Sequence, residues 1–342
     1  MHCLLLGNGL NRLSMQLSWQ ALLEALADEL GLADQVQFYE QKPLSLHFEE
    51  LCVRLPQYRA RTAEQVVKKR IAELLTVFPR HPYHKLLADM FGTIITTNYD
   101  FTIEEAIGGG IRERKQIISE TRYSLFRRLD IGAHSIWHVH GDAERSESIL
   151  LGYDHYAGQL QKIRNYLTHG ISPKVPGGLT KSPLSGTHRF EDHHVHSWVD
   201  HFLRDHIHIV GFGFDFTEID LWWLMVYKRR RDVRTGRTFF YAVEVDGQSA
   251  NPDKAKRSLL ESLGVEVVSE RANTFEEGYG RVIEAISRNI RANPTWLPYT
   301  PVTKPARDYA SYEPQPRASL PMSPQLEFSL ESKRRRRKSP MT

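Results

Sequence analysis

The chain has few of the residues that define disulfide-rich, zinc-binding or membrane-spanning proteins. Among 342 residues there are two cysteines, Cys3 and Cys52, too few for a disulfide framework or a cysteine-rich zinc site. No apolar run is long enough to cross a bilayer. The N-terminus has an apolar run of only four residues and lacks the basic segment of a signal peptide. These absences predict a cytoplasmic protein that does not contact membranes.

A metal site is also not expected, although histidines are plentiful. Seven of them crowd one stretch: His188, His193, His194, His196, His201, His206 and His208. No HExxH pattern and no cysteine accompanies them, and the nearby carboxylates have no ligand spacing. This stretch therefore indicates a polar helix face and loop rather than a metal centre.

Excess positive charge is confined to the C-terminal tail. Residues 292–342 hold nine Lys or Arg against four Asp or Glu, so the remaining 1–291 carries a formal charge of about −1. The tail also has nine prolines and the run Lys333–Lys338 (KRRRRK). This composition predicts a disordered or partner-docking segment. Direct nucleic-acid contact through the basic run is a less favoured alternative.

The pattern of the chain before this tail predicts an α/β fold. Buried-strand patterns alternate with helical ones; the strands are 2–6, 91–96, 135–139, 206–210, 238–245 and 264–269. This alternation favours a Rossmann-like, doubly wound parallel sheet. Four helical patterns stand between the first two strands, at 18–31, 44–55, 62–78 and 83–90. The Pro- and Gly-rich stretch 170–190 has no periodicity and predicts a long loop or lid.

Glycines or polar residues follow four of the predicted strands directly. The four motifs are GNGLN at 7–11, TTNYD at 96–100, HVHGD at 138–142 and GFGFD at 211–215. Ligands of open α/β sheets bind at the carboxyl ends of strands. The motifs are therefore expected to form one binding site.

The chemistry of the four motifs differs. Paired glycines allow a tight turn and close approach of backbone to phosphate, although the third glycine of a GxGxxG pattern is missing. An amide and a carboxylate follow the second strand, at Asn98 and Asp100. His140 is a candidate acid or base because imidazole titrates near neutrality, and a hydrogen-bonded structural histidine is the alternative. Strand alternation puts His138 and His140 on one side, unless the strand bends there.

Taken in this order and at these spacings, the motifs resemble the sirtuin fold, and in particular the bacterial sirtuin-like NAD hydrolases of anti-phage defence. The resemblance covers about residues 2–290, within a predicted NAD-hydrolysing domain of residues 1–291, and implies that NAD is the substrate. It implies catalytic roles for Asn98 and His140, with Thr97 and Asp100 at the nicotinamide end. The other residues that it implies for NAD binding are Gly7, Asn8, Gly9, Asn11, Gly211, Gly213, Asp215 and Glu244.

The chain also departs from the protein-deacylating sirtuins. It lacks their four-cysteine zinc module, which puts acyl-lysine binding in doubt but not NAD binding. It has GNGLN where those enzymes have GAG followed by Ser. Defence-type members lack the zinc module too and carry an all-helical insertion, which residues 18–90 fit.

The expected function is therefore NAD+ hydrolysis at the nicotinamide–ribose bond, as an effector that depletes NAD during phage infection. The expected partners are a homo-oligomer or a second chain, such as a HerA-type ATPase or a prokaryotic Argonaute. The alternatives are an NAD-dependent protein deacylase and a non-catalytic NAD or ADP-ribose-binding regulatory module. A Rossmann dehydrogenase is the least favoured alternative, because the GxGxxG motif and the acidic residue about twenty positions after it are missing.

Overall fold

In a computed structural model, the chain forms two compact units, Met1–Trp296 and Leu297–Thr342. The structure describes residues 1–294 with the exception of 16–17, 40–41, 56–59, 76–78, 109–114, 117–119, 121, 172–196, 231–235 and 246–253. Nearly all of the predicted tail and of the predicted loop 170–190, together with four of the crowded histidines, therefore lie outside the described residues.

The described residues contain one eight-stranded sheet. Its strands are β1 (His2–Leu6), β2 (Thr93–Thr96), β3 (Lys115–Gln116), β4 (Leu129–Ile131), β5 (His134–His138), β6 (His206–Val210), β7 (Thr238–Val245) and β8 (Val265–Ala272). The order across the sheet is β3-β4-β5-β2-β1-β6-β7-β8. Six neighbouring strands of this order, β5-β2-β1-β6-β7-β8, pair in parallel. At one edge, β3 pairs antiparallel with β4, and β4 pairs antiparallel with β5. The predicted Rossmann-like α/β fold is confirmed.

Ten α-helices accompany this sheet in the described ranges. They are α1 (Trp19–Glu29), α2 (Leu44–Arg54), α3 (Ala60–Leu74), α4 (Pro82–Met90), α5 (Thr102–Ile107), α6 (Tyr153–Thr168), α7 (Trp198–Arg204), α8 (Ile219–Arg230), α9 (Lys254–Ser262) and α10 (Phe275–Ala292). Strand β1 pairs with β2 on one side and with β6 on the other, so the direction of winding reverses at β1. A ligand crevice is expected at such a switch point.

The central strand β1 is apolar throughout because both of its faces are buried. Cys3 and Leu5 belong to a core on one face of the sheet, whereas Leu4 and Leu6 belong to a second core on the other face. A central parallel strand covered by helices on both sides requires such a continuous apolar sequence. The resulting rigid frame fixes where the loops after β1, β2 and β6 emerge.

Helices α1–α3 build a third core of their own. Its fully buried members include Leu23, Leu26, Leu51, Val67 and Ile71. The loops after β2 and β5 contribute to the same core, because Tyr99, Phe101 and Ile149 also belong to it. Helix α4 instead packs in the second core of the sheet, through Leu87 and Ala88. The helical segment is thus anchored to the loops that carry two of the four motifs.

Two local features of the sheet differ from the sequence interpretation. Strand β2 begins at Thr93 rather than Phe91, since Phe91 caps the end of α4 and its amide donates to the Ala88 carbonyl at 3.1 Å. The antiparallel strands β3 and β4 were not predicted, because they are only two and three residues long. Such short strands leave no periodicity to read.

Candidate functional site

A cavity of about 530 Å³ opens at the carboxyl ends of the central strands. This size is ordinary for a small-molecule site. Eight of the residues predicted for the site line this cavity: Asn8, Gly9, Thr97, Asn98, His140, Gly211, Gly213 and Asp215. All four motifs therefore meet at one place, as parallel strands ending at one edge require.

The two glycine turns of the cavity are packed directly on each other. The Gly9 amide donates to the Gly211 carbonyl at 2.7 Å, and the Gly7 amide donates to the Val210 carbonyl at 2.9 Å. A Cβ on Gly9 would lie 2.8 Å from the Gly211 Cα, and a Cβ on Gly7 would lie 2.6 Å from the Gly211 oxygen. Gly7, Gly9 and Gly211 therefore have no room for a side chain, and Gly211 also has a left-handed φ of +64°.

Gly213 is different, because a Cβ there would meet nothing within 4 Å. Gly213 lines the cavity, and the space that a side chain would take there is open. Besides Gly211, the second turn has a left-handed residue at Phe214, with a φ of +50°. Its buried ring packs on Phe212 and Trp222, with ring centroids 4.7 and 5.1 Å apart, which holds a backbone conformation that side chains disfavour.

Two predicted residues, Asn11 and Asp100, lie behind the cavity wall instead of lining it. The Asn11 amide donates to Asp100 Oδ2 at 2.9 Å and to Asn8 Oδ1 at 3.0 Å. His84 contacts Asn11 Oδ1 through Nε2 at 2.9 Å. Burial lowers the pKa of His84 to about 4, so its ring is neutral. This buried network fixes Asn8, which does line the cavity.

The Asn98 side chain faces the cavity with its carboxamide unused by the protein. Its backbone is fixed on both sides: the amide donates to Thr96 Oγ1 at 3.0 Å, and the carbonyl accepts from His138 Nδ1 at 2.8 Å. The side chain lines the cavity and is nearly buried, with 6% of the residue exposed. No described residue forms a hydrogen bond with its carboxamide. The backbone of Asn98 is therefore held in place, and its side-chain carboxamide is available to a ligand.

His138 and His140 make different contacts because β5 ends at His138, so strand alternation does not extend to His140. Gly141 follows with a left-handed φ of +96°. His138 turns to α5 and contacts Glu104 Oε1 through Nε2 at 2.6 Å. Burial lowers the pKa of His138, but the Glu104 carboxylate outweighs it and raises the pKa to about 9. Only His140 lines the cavity.

His140 is held by groups from two helices. Its Nε2 lies 3.1 Å from Asp220 Oδ2 at the start of α8. Its ring stands edge-on to Tyr156 of α6, with centroids 5.3 Å apart at 88°. Its carbonyl accepts from the Leu150 amide at 2.8 Å. The ring thus has a fixed orientation in the cavity wall.

Two carboxyl groups were missed by the sequence interpretation, Glu218 in the cavity wall and Asp220 in contact with His140. Glu218 lines the cavity, and burial raises its pKa well above the ordinary value, with the charges of Asp220 and Asp215 adding to the effect. Asp220 is fully buried. The sequence did contain a signal for Asp220, which falls on the apolar stripe of α8 with Leu221 and Leu224. A charged residue on such a stripe is stable only with a buried partner, so it predicts a paired carboxylate.

Two cationic residues of the cavity were also missed. Arg12 follows the first glycine turn, and Lys256 belongs to α9 and donates to the Gly213 carbonyl at 3.2 Å. No carboxylate among the described residues forms an ion pair with either. Free positive charge beside two glycine turns suits an anionic ligand.

The structure does not bring Glu244 to the cavity. Its carboxylate pairs with Arg271 Nε at 3.1 Å and Arg257 Nη1 at 4.0 Å. The residues of β7 that do line the cavity are Phe240, Tyr241, Ala242 and Val243. They are mostly apolar, so this wall offers a surface for packing a flat ring rather than a carboxylate.

Among the described residues, no group of three His, Cys, Asp or Glu residues could hold a metal ion. Within the same ranges, no helix is both long and apolar enough to cross a membrane.

Glycine turns, a switch-point cavity and free cations together define a Rossmann-type nucleotide-binding protein. The family described as "SIR2-like domain" matches residues 92–268, more than half of the chain. The chain belongs to this sirtuin-like family, which uses NAD, and the match includes Asn98, His140 and Gly211. No curated protein matches the chain.

Proposed function

We propose that this protein is an NAD+ glycohydrolase, which cleaves the bond between nicotinamide and ribose. The observation that carries the proposal is that Asn98 and His140 line the same cavity. The first presents a carboxamide that the protein leaves free, and the second presents an imidazole oriented by a buried carboxylate. The family membership supports NAD as the nucleotide.

The proposed reaction passes through an oxocarbenium-like state, as in other glycosyl cleavages. The bond between the ribose C1′ and the nicotinamide nitrogen breaks, and its electron pair stays on the leaving nicotinamide. A water oxygen bonds to C1′, and the proton that it loses passes to His140, directly or through a ribose hydroxyl. Asn98 orients the water through its amide. The products are nicotinamide, ADP-ribose and a proton.

The rest of the cavity suits the remainder of NAD. Gly213 lines the cavity with open space where a side chain would stand, and Arg12 and Lys256 supply positive charge for a diphosphate there. The apolar end of β7 provides a wall for the adenine ring. This orientation leaves the nicotinamide ribose between Asn98 and His140.

We further propose that the enzyme depletes cytoplasmic NAD in anti-phage defence. Such an activity must be silent before infection, so control through assembly is part of the proposal. The assembly is a homo-oligomer or a complex with a HerA-type ATPase or a prokaryotic Argonaute, with 292–342 as the docking segment. Deletion of 292–342 is expected to abolish assembly and activation; a truncated protein that assembles and is activated normally would exclude this role.

The enzymatic proposal is tested by nicotinamide release from NAD by the purified full chain. Asn98→Ala and His140→Ala are each expected to lower the rate by about two to four powers of ten, the scale of a catalytic polar group. Matched controls are Asn165→Ala on the exposed face of α6 and His134→Ala at the opposite end of β5. They are expected to retain the wild-type rate.

Two results would contradict the proposal. Release that requires an acyl-lysine peptide would indicate a deacylase. Tight NAD or ADP-ribose binding with no nicotinamide release, in the assembled protein and in cells challenged with phage, would indicate a regulatory binding module.

A further inference from the structure

Asp220 is a charged residue in a place where only a paired charge is stable. It lies in the first turn of α8, fully buried, with Leu221 and Leu224 on the same buried stripe. Its Oδ2 contacts His140 Nε2 at 3.1 Å, while its Oδ1 has no hydrogen-bond partner among the described residues. The imidazole is therefore the principal partner of a buried carboxylate.

The position of Asp220 in its helix favours a negative charge beside His140. Asp220 lies in the first turn of α8, where the N-terminus of a helix stabilises a carboxylate, and its Oδ2 contacts the imidazole. At the neighbouring Glu218, burial first, and then the charges of Asp220 and Asp215, raise the pKa well above its ordinary value. We therefore assign the negative charge beside His140 to Asp220, on its helix position and its contact with the ring.

An ionised Asp220 determines which nitrogen of His140 carries the proton. A carboxylate can only accept a hydrogen bond, so Nε2 must be the donor in the neutral ring. The lone pair is then on Nδ1, for which no described residue provides a hydrogen-bond donor. The same lone pair would be occupied by a proton in the opposite tautomer, and His140 could not act as a base through it.

We propose that Asp220 is a positioning residue that holds His140 in the Nε2–H tautomer, with Nδ1 free as the proton acceptor. When His140 takes a proton, the carboxylate also stabilises the positive charge of the imidazolium. The contribution to hydrolysis rests on the proposed NAD glycohydrolase function. The assignment of the tautomer does not.

The tautomer is tested by ¹⁵N NMR of the full chain labelled with ¹⁵N-histidine. The His140 signals are assigned by their loss in His140→Gln, and the ring is measured at a pH where it is neutral. The expected result is a protonated Nε2 and a bare Nδ1. A bare Nε2 in the wild type would overturn the proposal, whatever happens to any variant.

Asp220→Asn supplies the second measurement, because an amide can either accept from or donate to the ring. The variant is expected to mix the two tautomers of His140. The matched control is Asp205→Asn, which removes another buried carboxylate–imidazole pair, with His201 Nδ1 at 2.8 Å, outside the cavity. The control is expected to change the His201 signals and to leave the His140 signals as in the wild type. An unchanged His140 ring in folded Asp220→Asn would overturn the proposal.

Kinetics then separate positioning from a purely structural role. Asp220→Asn is expected to lower kcat for nicotinamide release at least about 10-fold, and to have no further effect in the His140→Ala background. An equal loss in both backgrounds would overturn the positioning role. The expected tautomer in a protein that never releases nicotinamide would instead reject the glycohydrolase function, while the assignment of His140 would stand.

Discussion

Gly9 and Gly213 form a matched pair for testing why glycines line the cavity. Both lie in turns of the form Gly-x-Gly after parallel strands, and sequence alone gives them the same role. A methyl group on Gly9 would lie 2.6 Å from the Tyr279 hydroxyl, 2.8 Å from the Gly211 Cα and 2.9 Å from the Gly211 oxygen. A methyl group on Gly213 would contact nothing within 4 Å.

These contacts predict opposite effects on stability. Gly9→Ala pushes apart two turns whose contacts are mainly between backbone atoms, which cannot move aside as a flexible side chain could. Overpacking of this kind lowers the free energy of unfolding by about 1–3 kcal/mol. Gly213→Ala keeps a backbone that alanine can adopt and restricts the unfolded chain, so it is expected to be neutral or to stabilise by about 0.4–1 kcal/mol. Because Gly213 lines the cavity, the added methyl group is expected to lower NAD affinity.

The assay compares urea unfolding and NAD binding of the two variants with those of the wild type. Gly9→Ala should lower the unfolding midpoint, whereas Gly213→Ala should preserve the midpoint and weaken binding. An equal loss of stability in both variants would refute the reasoning, because it would mean that both turns are packed alike. Unchanged binding in Gly213→Ala would show that NAD does not approach this turn.

Three further predictions concern charge. The pKa of His138 is raised to about 9 owing to Glu104. The pair therefore stabilises the fold fully below about pH 6.5 and loses this effect as the pH rises through 9. Glu104→Gln should destabilise the protein most in acid, as measured by unfolding across pH. Burial lowers the pKa of His208 to about 3, so as the pH falls His208 is protonated in the unfolded state before it is protonated in the folded state. The free energy of unfolding should therefore fall between about pH 6.5 and 3, and it should fall less steeply in His208→Leu. Arg12→Ala and Lys256→Ala should each weaken NAD binding and reduce its salt dependence in titrations at two ionic strengths, with little change in kcat.

The location of the site could be predicted from sequence because it follows from strand order and polarity alone. Parallel strands that alternate with helices must end at one edge, so the polar residues after β1, β2, β5 and β6 were expected to meet there. The structure brings Asn98, His140 and the glycine turns to one cavity. Most helices and strands agree in position for the same reason, since their apolar periodicity reports burial directly.

The direction of individual side chains could not be predicted in the same way. Asn11 and Asp100 stand in the motifs but turn into a buried network with His84, a partner 73 positions from Asn11. Sequence gives no distance between such residues. His138 and His140 make different contacts because β5 ends at His138, so the strand alternation read from sequence does not extend to His140.

The most direct test of the central claim is to measure NAD binding and nicotinamide release on the same Asn98→Ala protein. Asn98 is expected to act on the water and the reacting ribose rather than to supply most of the affinity. The account predicts that the variant binds NAD nearly as well as the wild type but releases nicotinamide about two to four powers of ten more slowly. Nicotinamide release at the wild-type rate by folded Asn98→Ala would contradict it.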